Sequence, residues 1–278
     1  MDKTSGTKPN GLEPLKVYWQ PGCTGCLRMK EFLTSHGVEF ISINVLEDPE
    51  GCQELVRLAG RRVPIARRGD DWVDGQVLSD LARIAGISLT PWRPLSPPEL
   101  AQRVDVILAA TQRYCAQIPE ASLDRLLPKR PRPYRQLVAH IAQIIEAFLD
   151  LVECQKRLEH PAYEQEVPRD ATNREQLIGF VAAIQQRFDN WWSQRGADTD
   201  FSVPADVYYG EQTLHEFLER STWHACQHTR QLQLVVENLG LVPNGPLTPG
   251  NLAGLPLPSH VWDDELAFST SETEAGVV

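Results

Sequence analysis

The hydrophobic period of this chain changes once, at Thr90-Pro91-Trp92-Arg93-Pro94-Leu95, where two prolines interrupt regular structure. Before that point short apolar runs alternate with helical stretches. After it, apolar residues recur at three- and four-residue intervals throughout. With 278 residues, the chain is long enough for two domains that each bury a core. The pattern predicts an α/β domain over 13–90, a linker over 91–95 and an all-α domain over 96–242. A polar lead over 1–12 precedes them. A Pro/Gly-rich, then acidic, tail over 243–278 is expected to pack in part on the helices.

In the first domain, Leu15 to Trp19 reads as a buried strand stopped by Gln20-Pro21-Gly22, and Cys23-Thr24-Gly25-Cys26 then opens a helix with Leu27, Met29, Phe32 and Leu33 apolar. A thiolate at Cys23 would face unpaired backbone N–H groups and the positive end of the helix dipole, which lowers a thiol pKa and makes it the nucleophile. Cys26, one turn in, is placed to resolve a mixed disulfide. Zinc would need a second C-x-x-C or C-x-x-H, and none follows within the domain. Cys52, Cys115 and Cys154 read as ordinary helix residues. Further along, Val38–Val45 alternates as a strand, a helix suits Asp48–Gly60, and Val63-Pro64-Ile65 resumes the sheet. Asp71–Gly75 makes a hairpin strand, and a last helix covers Leu78–Ala85.

The β-α-β-α-β-β-α order, with Tyr18, Pro21, Cys23, Cys26, Lys30 and Val63-Pro64 in place, resembles a glutaredoxin over roughly residues 14 to 88. The resemblance implies a thioredoxin fold and dithiol chemistry at Cys23 and Cys26. It implies a cis Pro64 against the catalytic cysteine and a Val63 backbone that pairs with glutathione or another low-molecular-weight thiol. Thr24-Gly25 replaces the family's usual Pro-Tyr. The family's Gly-Gly-x-Asp-Asp turn appears as Gln76-Val77-Leu78-Ser79-Asp80, which gives the thiol-binding role to Ser79 and Asp80.

Beyond the prolines, Ser96-Pro97-Pro98-Glu99 is a capping box, and Leu100, Val104, Ile107, Thr111, Cys115 and Ile118 form the inward stripe of a first long helix. The second carries Leu137, His140, Ile144, Phe148 and Leu151, ending near Leu158. Thr172-Asn173-Arg174-Glu175 reads as a capping box opening the third, with Leu177, Val181, Ile184 and Phe188 inward and Trp191-Trp192 closing its far end. The fourth has Leu214, Phe217, Ser221, His224, His228, Leu232 and Val235 inward and stops at Gly240. Four such helices predict an up-and-down four-helix bundle.

His224 and His228 are about 40° apart around the helix axis and about 6 Å along it, so one ion can accept both imidazoles. His140 is the histidine that a facing helix offers from inside an apolar stripe. A buried histidine is usually a hydrogen-bonded core residue, but three inward-facing ones in a core are costly unless something binds them. Cys226 points about 200° away from the pair, and His215, His160 and His260 read as surface residues. Gln231 suits orientation of the second ligand or plain helix solvation.

A histidine midway along the second helix and His-x-x-x-His-x-Arg-Gln-Leu on the fourth resemble the DinB/YfiT-like superfamily of metal-binding four-helix proteins, over roughly 95 to 265. The resemblance implies a divalent metal on His140, His224 and His228. It also implies kinship with thiol-dependent S-transferases and isomerases that use glutathione, mycothiol or bacillithiol. Zinc, nickel, iron and manganese all accept three imidazoles.

The expectation is a cytoplasmic two-domain enzyme of thiol metabolism, with a dithiol–disulfide oxidoreductase module coupled to a metal-dependent thiol S-transferase or isomerase module. A small-molecule thiol and an electrophile would be its partners, and a homodimer is open. Two alternatives stand beside it: a non-catalytic metal-binding sensor or platform, and a bundle gated by the redox state of Cys23-Cys26. The net charge of −10, concentrated after residue 90, repels phosphate backbones, so no nucleic-acid partner is expected. Residues 1–10 are polar, no apolar run is long enough to cross a bilayer, and six cysteines are too few for a disulfide scaffold, so no membrane partner is expected and a reducing compartment is.

Overall fold

The computed structural model describes residues 13–60, 62–90, 93–160, 167–169 and 171–264. The polar lead over 1–12, Pro91 and Trp92 of the linker, and the acidic stretch from 265 lie outside the described residues. The chain divides into two compact units, Met1–Leu89 and Thr90–Val278.

The first unit runs β1 (Leu15–Trp19), α1 (Thr24–Ser35), β2 (Phe40–Asn44), α2 (Pro49–Ala59), β3 (Ile65–Arg68), β4 (Asp71–Asp74) and α3 (Leu78–Ala85). Its sheet has the order β2-β1-β3-β4. β1 is parallel to β2, with Val17 opposite Ser42, and antiparallel to β3, with Val17 opposite Ala66. Alternation along β1 sends Leu15 and Val17 to one face, where Met29 and Leu33 of α1 and Leu81 and Ile84 of α3 cover them. Tyr18 and Ile65 point the other way, onto Leu55 and Ala59 of α2. This is a thioredoxin-like sheet and helix unit. The sheet resumes at Ile65 rather than at Val63, because Val63-Pro64 forms the approach to the strand and its peptide bond is cis.

In the second unit α4 (Pro97–Gln117), α5 (Tyr134–Cys154), α6 (Arg174–Arg195) and α7 (Leu214–Asn238) pack around a shared core, with a short hairpin of β5 (Pro204–Ala205) and β6 (Gln212–Thr213) before α7 and a one-turn α8 (Pro249–Leu252) after it. The capping box of α4 forms as expected on Ser96 and Glu99. That of α6 is displaced by one residue: Asn173 is the cap and Gln176 the reciprocal partner, and Gln176 Oε1 also accepts from Thr172. A third box, Thr213 with Glu216, opens α7.

The up-and-down order does not hold. His215 at the start of α7 donates to the carbonyl of Leu95 ahead of α4 (2.8 Å), and Tyr114 late in α4 donates to Gln233 late in α7 (3.0 Å), so α4 and α7 run in the same direction. Arg135 early in α5 donates to Thr172 just ahead of α6 (2.8 Å), and Arg187 late in α6 pairs with Asp150 late in α5 (3.0 Å), so these two also run together. Arg174 at the start of α6 reaches Ile118 beyond the end of α4 (3.1 Å), and Phe148 late in α5 meets Phe217 early in α7 (ring centroids 5.6 Å), so the two pairs are antiparallel. The sense is up-down-down-up. The connection between α5 and α6 permits this, since its chain can extend well beyond the roughly 30 Å that a helix of α5's length spans. Among the described residues no helix is long and apolar enough to cross a membrane.

Candidate functional site

Two sites emerge, one in each unit. In the first, the turn after β1 uses Gly22 at φ 65° to bring Cys23 to the N-cap of α1. Cys23 Sγ accepts the amide N–H of Cys26 (3.2 Å), so the sulfur occupies the place of a capping oxygen at the positive end of the helix. Cys23 is half-buried and Cys26 fully buried, and the two are joined as a disulfide. Exposure thus separates the two sulfurs.

Pro64 lies across this turn. A Cβ on Gly25 would stand 3.2 Å from the Pro64 ring and 3.2 Å from Gln76 Cγ, and one on Gly75 would stand 2.2 Å from Met29 Sδ and 3.2 Å from Pro64 Cβ. Glycine at both positions lets turn, proline and helix close on one another. Val63 is half-buried beside Pro64, whereas Ser79 and Asp80 stand exposed on the first turn of α3. Further contacts complete this turn. Gln76 packs against Gly25 while its amide groups bond to Asp74 Oδ1 (3.0 and 3.1 Å), and Arg28 donates to the Gln76 carbonyl (3.4 Å). Lys30 is held over the Trp19 ring, 3.3 Å from its centroid.

In the second unit α5 carries His140 and α7 carries His224 and His228, all three buried. Their ring centroids are 5.6, 4.8 and 5.0 Å apart pairwise, and one ring nitrogen from each lies within 4.8 Å of the others. Nitrogens around a tetrahedral ion at about 2.05 Å stand about 3.3 Å apart, so small ring movements bring all three onto one cation. No carboxylate or cysteine joins them among the described residues. Burial pushes each imidazole well below its ordinary range, and guanidinium groups push the same way: Arg132 for His140 and His228, and Arg220 then Arg132 for His224. Neutral imidazole is the form that donates a lone pair. The donor set therefore fits a divalent ion of borderline softness.

The guanidiniums are a feature that the histidine pattern alone does not reveal. Arg220 lies one helical turn before His224, buried against the Tyr209 ring at 4.7 Å. Arg130 and Arg132 come from the turn leading into α5, where Leu127 N–H donates to the Arg132 carbonyl (2.9 Å). Position i−4 from His224 is the available signal for Arg220.

The remaining histidines are sorted by their partners. His215 is half-buried with its Nε2 on Leu95, which corrects the surface reading: a carbonyl left by the proline-rich linker takes its proton. His160 is also half-buried and packs edge-on to the Tyr208 ring (5.3 Å), while His260 is exposed. Cys226 is buried, outside the histidine group, and its thiol is pushed up to about 12 by burial. Gln231 does touch the site, its Oε1 lying 2.7 Å from His228 Nδ1.

A cysteine at a helix N-cap, a second one turn inside and a cis proline across them, on this sheet order, define the N-terminal unit as a redox domain of thioredoxin-like fold. Residues 15–71 match the glutaredoxin family. The glutaredoxin-like protein NrdH of Lactococcus lactis subsp. cremoris is 30% identical over 69 residues, which cover 25% of this chain and 96% of that protein, and its counterpart in subsp. lactis matches equally. A glutaredoxin-like protein of the rubredoxin operon of Clostridium pasteurianum is 29% identical over 65 residues, 23% of this chain and 80% of that protein. Through its N-terminal unit the chain belongs to the glutaredoxin family, as a thiol–disulfide oxidoreductase.

Proposed function

We propose that the chain is a two-domain enzyme of thiol metabolism, in which the helical unit is a DinB/YfiT-like four-helix bundle that binds one divalent metal and transfers a low-molecular-weight thiol to an electrophilic carbon, or isomerises that substrate. The observation that carries this reading is the convergence of His140, His224 and His228 on one buried point with no fourth ligand among the described residues. Three protein nitrogens leave an open coordination position, which is characteristic of catalytic rather than structural sites.

A divalent ion held there would supply Lewis acidity and favour the thiolate over the thiol. The chain supplies the rest. The guanidinium groups of Arg130, Arg132 and Arg220 act on all three histidines or their near neighbours, and that positive field favours an anionic co-substrate such as a thiolate. In a transfer, sulfur would form its bond to carbon as the leaving group departs with its electron pair. In an isomerisation the thiol would instead add across a carbon–carbon double bond, a proton joining the neighbouring carbon, and both would be eliminated again after rotation about the single bond.

At the other site Cys23 would attack a disulfide and Cys26 release the mixed disulfide, with Val63, Pro64, Ser79 and Asp80 forming the surface that receives the thiol partner. Joining the two units suits a pathway in which a thiol consumed at one site must be kept reduced at the other.

The test uses the full chain, metal-depleted and then reconstituted with zinc, nickel, iron(II) or manganese, and assayed with glutathione, mycothiol and bacillithiol against an activated aryl halide. Turnover that appears on reconstitution and vanishes in His224→Ala is the expected result. Metal bound at full stoichiometry with no turnover on any thiol would instead leave the helical unit as a non-catalytic metal platform.

A further inference from the structure

The segment Pro258–Trp262 lies along α7 beside the histidines. Arg230 donates to the carbonyls of Pro258 (2.8 Å) and Ser259 (3.0 Å). Gln227 Nε2 donates to those of His260 (3.0 Å) and Val261 (3.1 Å), while its Oε1 accepts from Arg230 (2.6 Å). Gln231 Nε2 donates to Val261 (3.3 Å), and Trp262, next in the chain, is buried to 2%. Three residues spaced along one stripe of α7 thus read the backbone of this segment.

The chemistry of these partners fixes more than position. A carbonyl oxygen only accepts, so Gln231 must turn its NH₂ group toward Val261 and its Oε1 toward His228 Nδ1, 2.7 Å away. An oxygen acceptor at that distance requires the proton on Nδ1. His228 is then left with its Nε2 lone pair as the atom available to the cluster.

We infer that Val261, Gln231 and His228 form a relay through which the C-terminal segment sets the tautomer of a metal ligand, making Gln231 a positioning residue and docking of Pro258–Trp262 a determinant of metal affinity. The affinity half rests on the metal reading above, whereas the tautomer half stands without it. Because linkage is reciprocal, a bound ion must also tighten the segment onto α7.

The full-length chain tests both halves. Long-range ¹H–¹⁵N correlation on the metal-free protein should find His228 protonated on Nδ1, and Gln231→Leu should move the proton toward Nε2. In cobalt(II) titrations followed by visible absorption, Gln231→Leu should weaken binding about 10- to 100-fold, the usual consequence of removing a ligand's outer partner. Cobalt(II) should slow proteolytic cleavage within 258–264 in the wild type and do so much less in Gln231→Leu.

Gln231→Glu keeps an acceptor for His228 and loses the donor to Val261. It should retain the Nδ1–H tautomer while cleavage of the segment becomes insensitive to cobalt(II), and it decides the matter if the leucine variant does not fold. A wild-type His228 protonated on Nε2 overturns the relay, and a Gln231→Leu chain with unchanged cobalt affinity overturns its effect on metal affinity. A wild type that binds no cobalt(II) but shows the Nδ1–H tautomer defeats the metal reading and leaves the relay standing.

Discussion

At Cys23 the sulfur sits at a helix N-terminus, half-open to solvent and bonded to a backbone amide, whereas His140, His224 and His228 hang from the middles of two helices into a core. The first site draws its electrostatics from main-chain dipoles within one turn of that sulfur. The second has no backbone donors to use, because mid-helix amides are already bonded, and takes its field from side chains brought from other elements, Arg132 and Arg220 among them. A dipole-based site survives as long as one turn survives. A side-chain cluster needs the whole packed unit, and the difference makes the two sites separately breakable.

The largest effect falls on the local site. Cys23→Ser removes the half-open sulfur, so disulfide reduction of a small-molecule disulfide should fall to background, and the helical unit should keep its circular dichroism and melting point. Next comes the helical core, where Phe148 touches Phe188, Trp191 and Phe217 at 6.3, 5.4 and 5.6 Å between ring centroids. Phe148→Ala should cost that unit about 3–5 kcal/mol. Denaturant unfolding followed by tryptophan fluorescence measures it, and dithiol exchange should continue after the helices have unfolded. Retention of the histidine cluster with that core gone would show that the cluster does not depend on the packed unit.

A smaller effect is expected at Gly75, whose added Cβ would meet Met29 Sδ at 2.2 Å. Gly75→Ala should destabilise the N-terminal unit by about 1–3 kcal/mol, as overpacking does, and slow exchange because Pro64 shares the contact. The smallest effect concerns thiols outside both sites. Burial pushes the thiols of Cys115 and Cys226 up to about 12, so at pH 8 they should resist alkylation in the folded chain while exposed Cys154 reacts. Mass spectrometry after timed labelling reads the order.

The same contrast explains what could be read from residues alone. The strand, turn and helix around Cys23 are contiguous, so Gln20-Pro21-Gly22 and the C-x-x-C are enough to place the sulfur at an N-cap. His224 and His228 are likewise legible as one face of α7, because their spacing is a helical property. Which helix faces them is a tertiary fact, and the apolar stripe of α5 pointed to His140 because its neighbours Leu137 and Ile144 had to be buried. Helix direction was not legible: an amphipathic stripe has no sense of up or down, and a long connection permits either, so the parallel run of α5 and α6 was missed. Arg130 and Arg132 sit in a proline-rich turn with no periodicity to aim them. The shift of the α6 cap from Thr172 to Asn173 reflects two adjacent residues that both cap well, and Gln176 bonds to both.

Elemental analysis of the purified full-length chain beside its His140→Ala and His215→Ala variants decides whether the helical unit is built around a metal. About one divalent ion per chain is expected in the wild type, most of it lost with His140 and none lost with His215, whose ring bonds to the Leu95 carbonyl. A wild-type chain that cannot be loaded with any divalent ion, or an ion that persists at full stoichiometry in His140→Ala, would contradict that expectation.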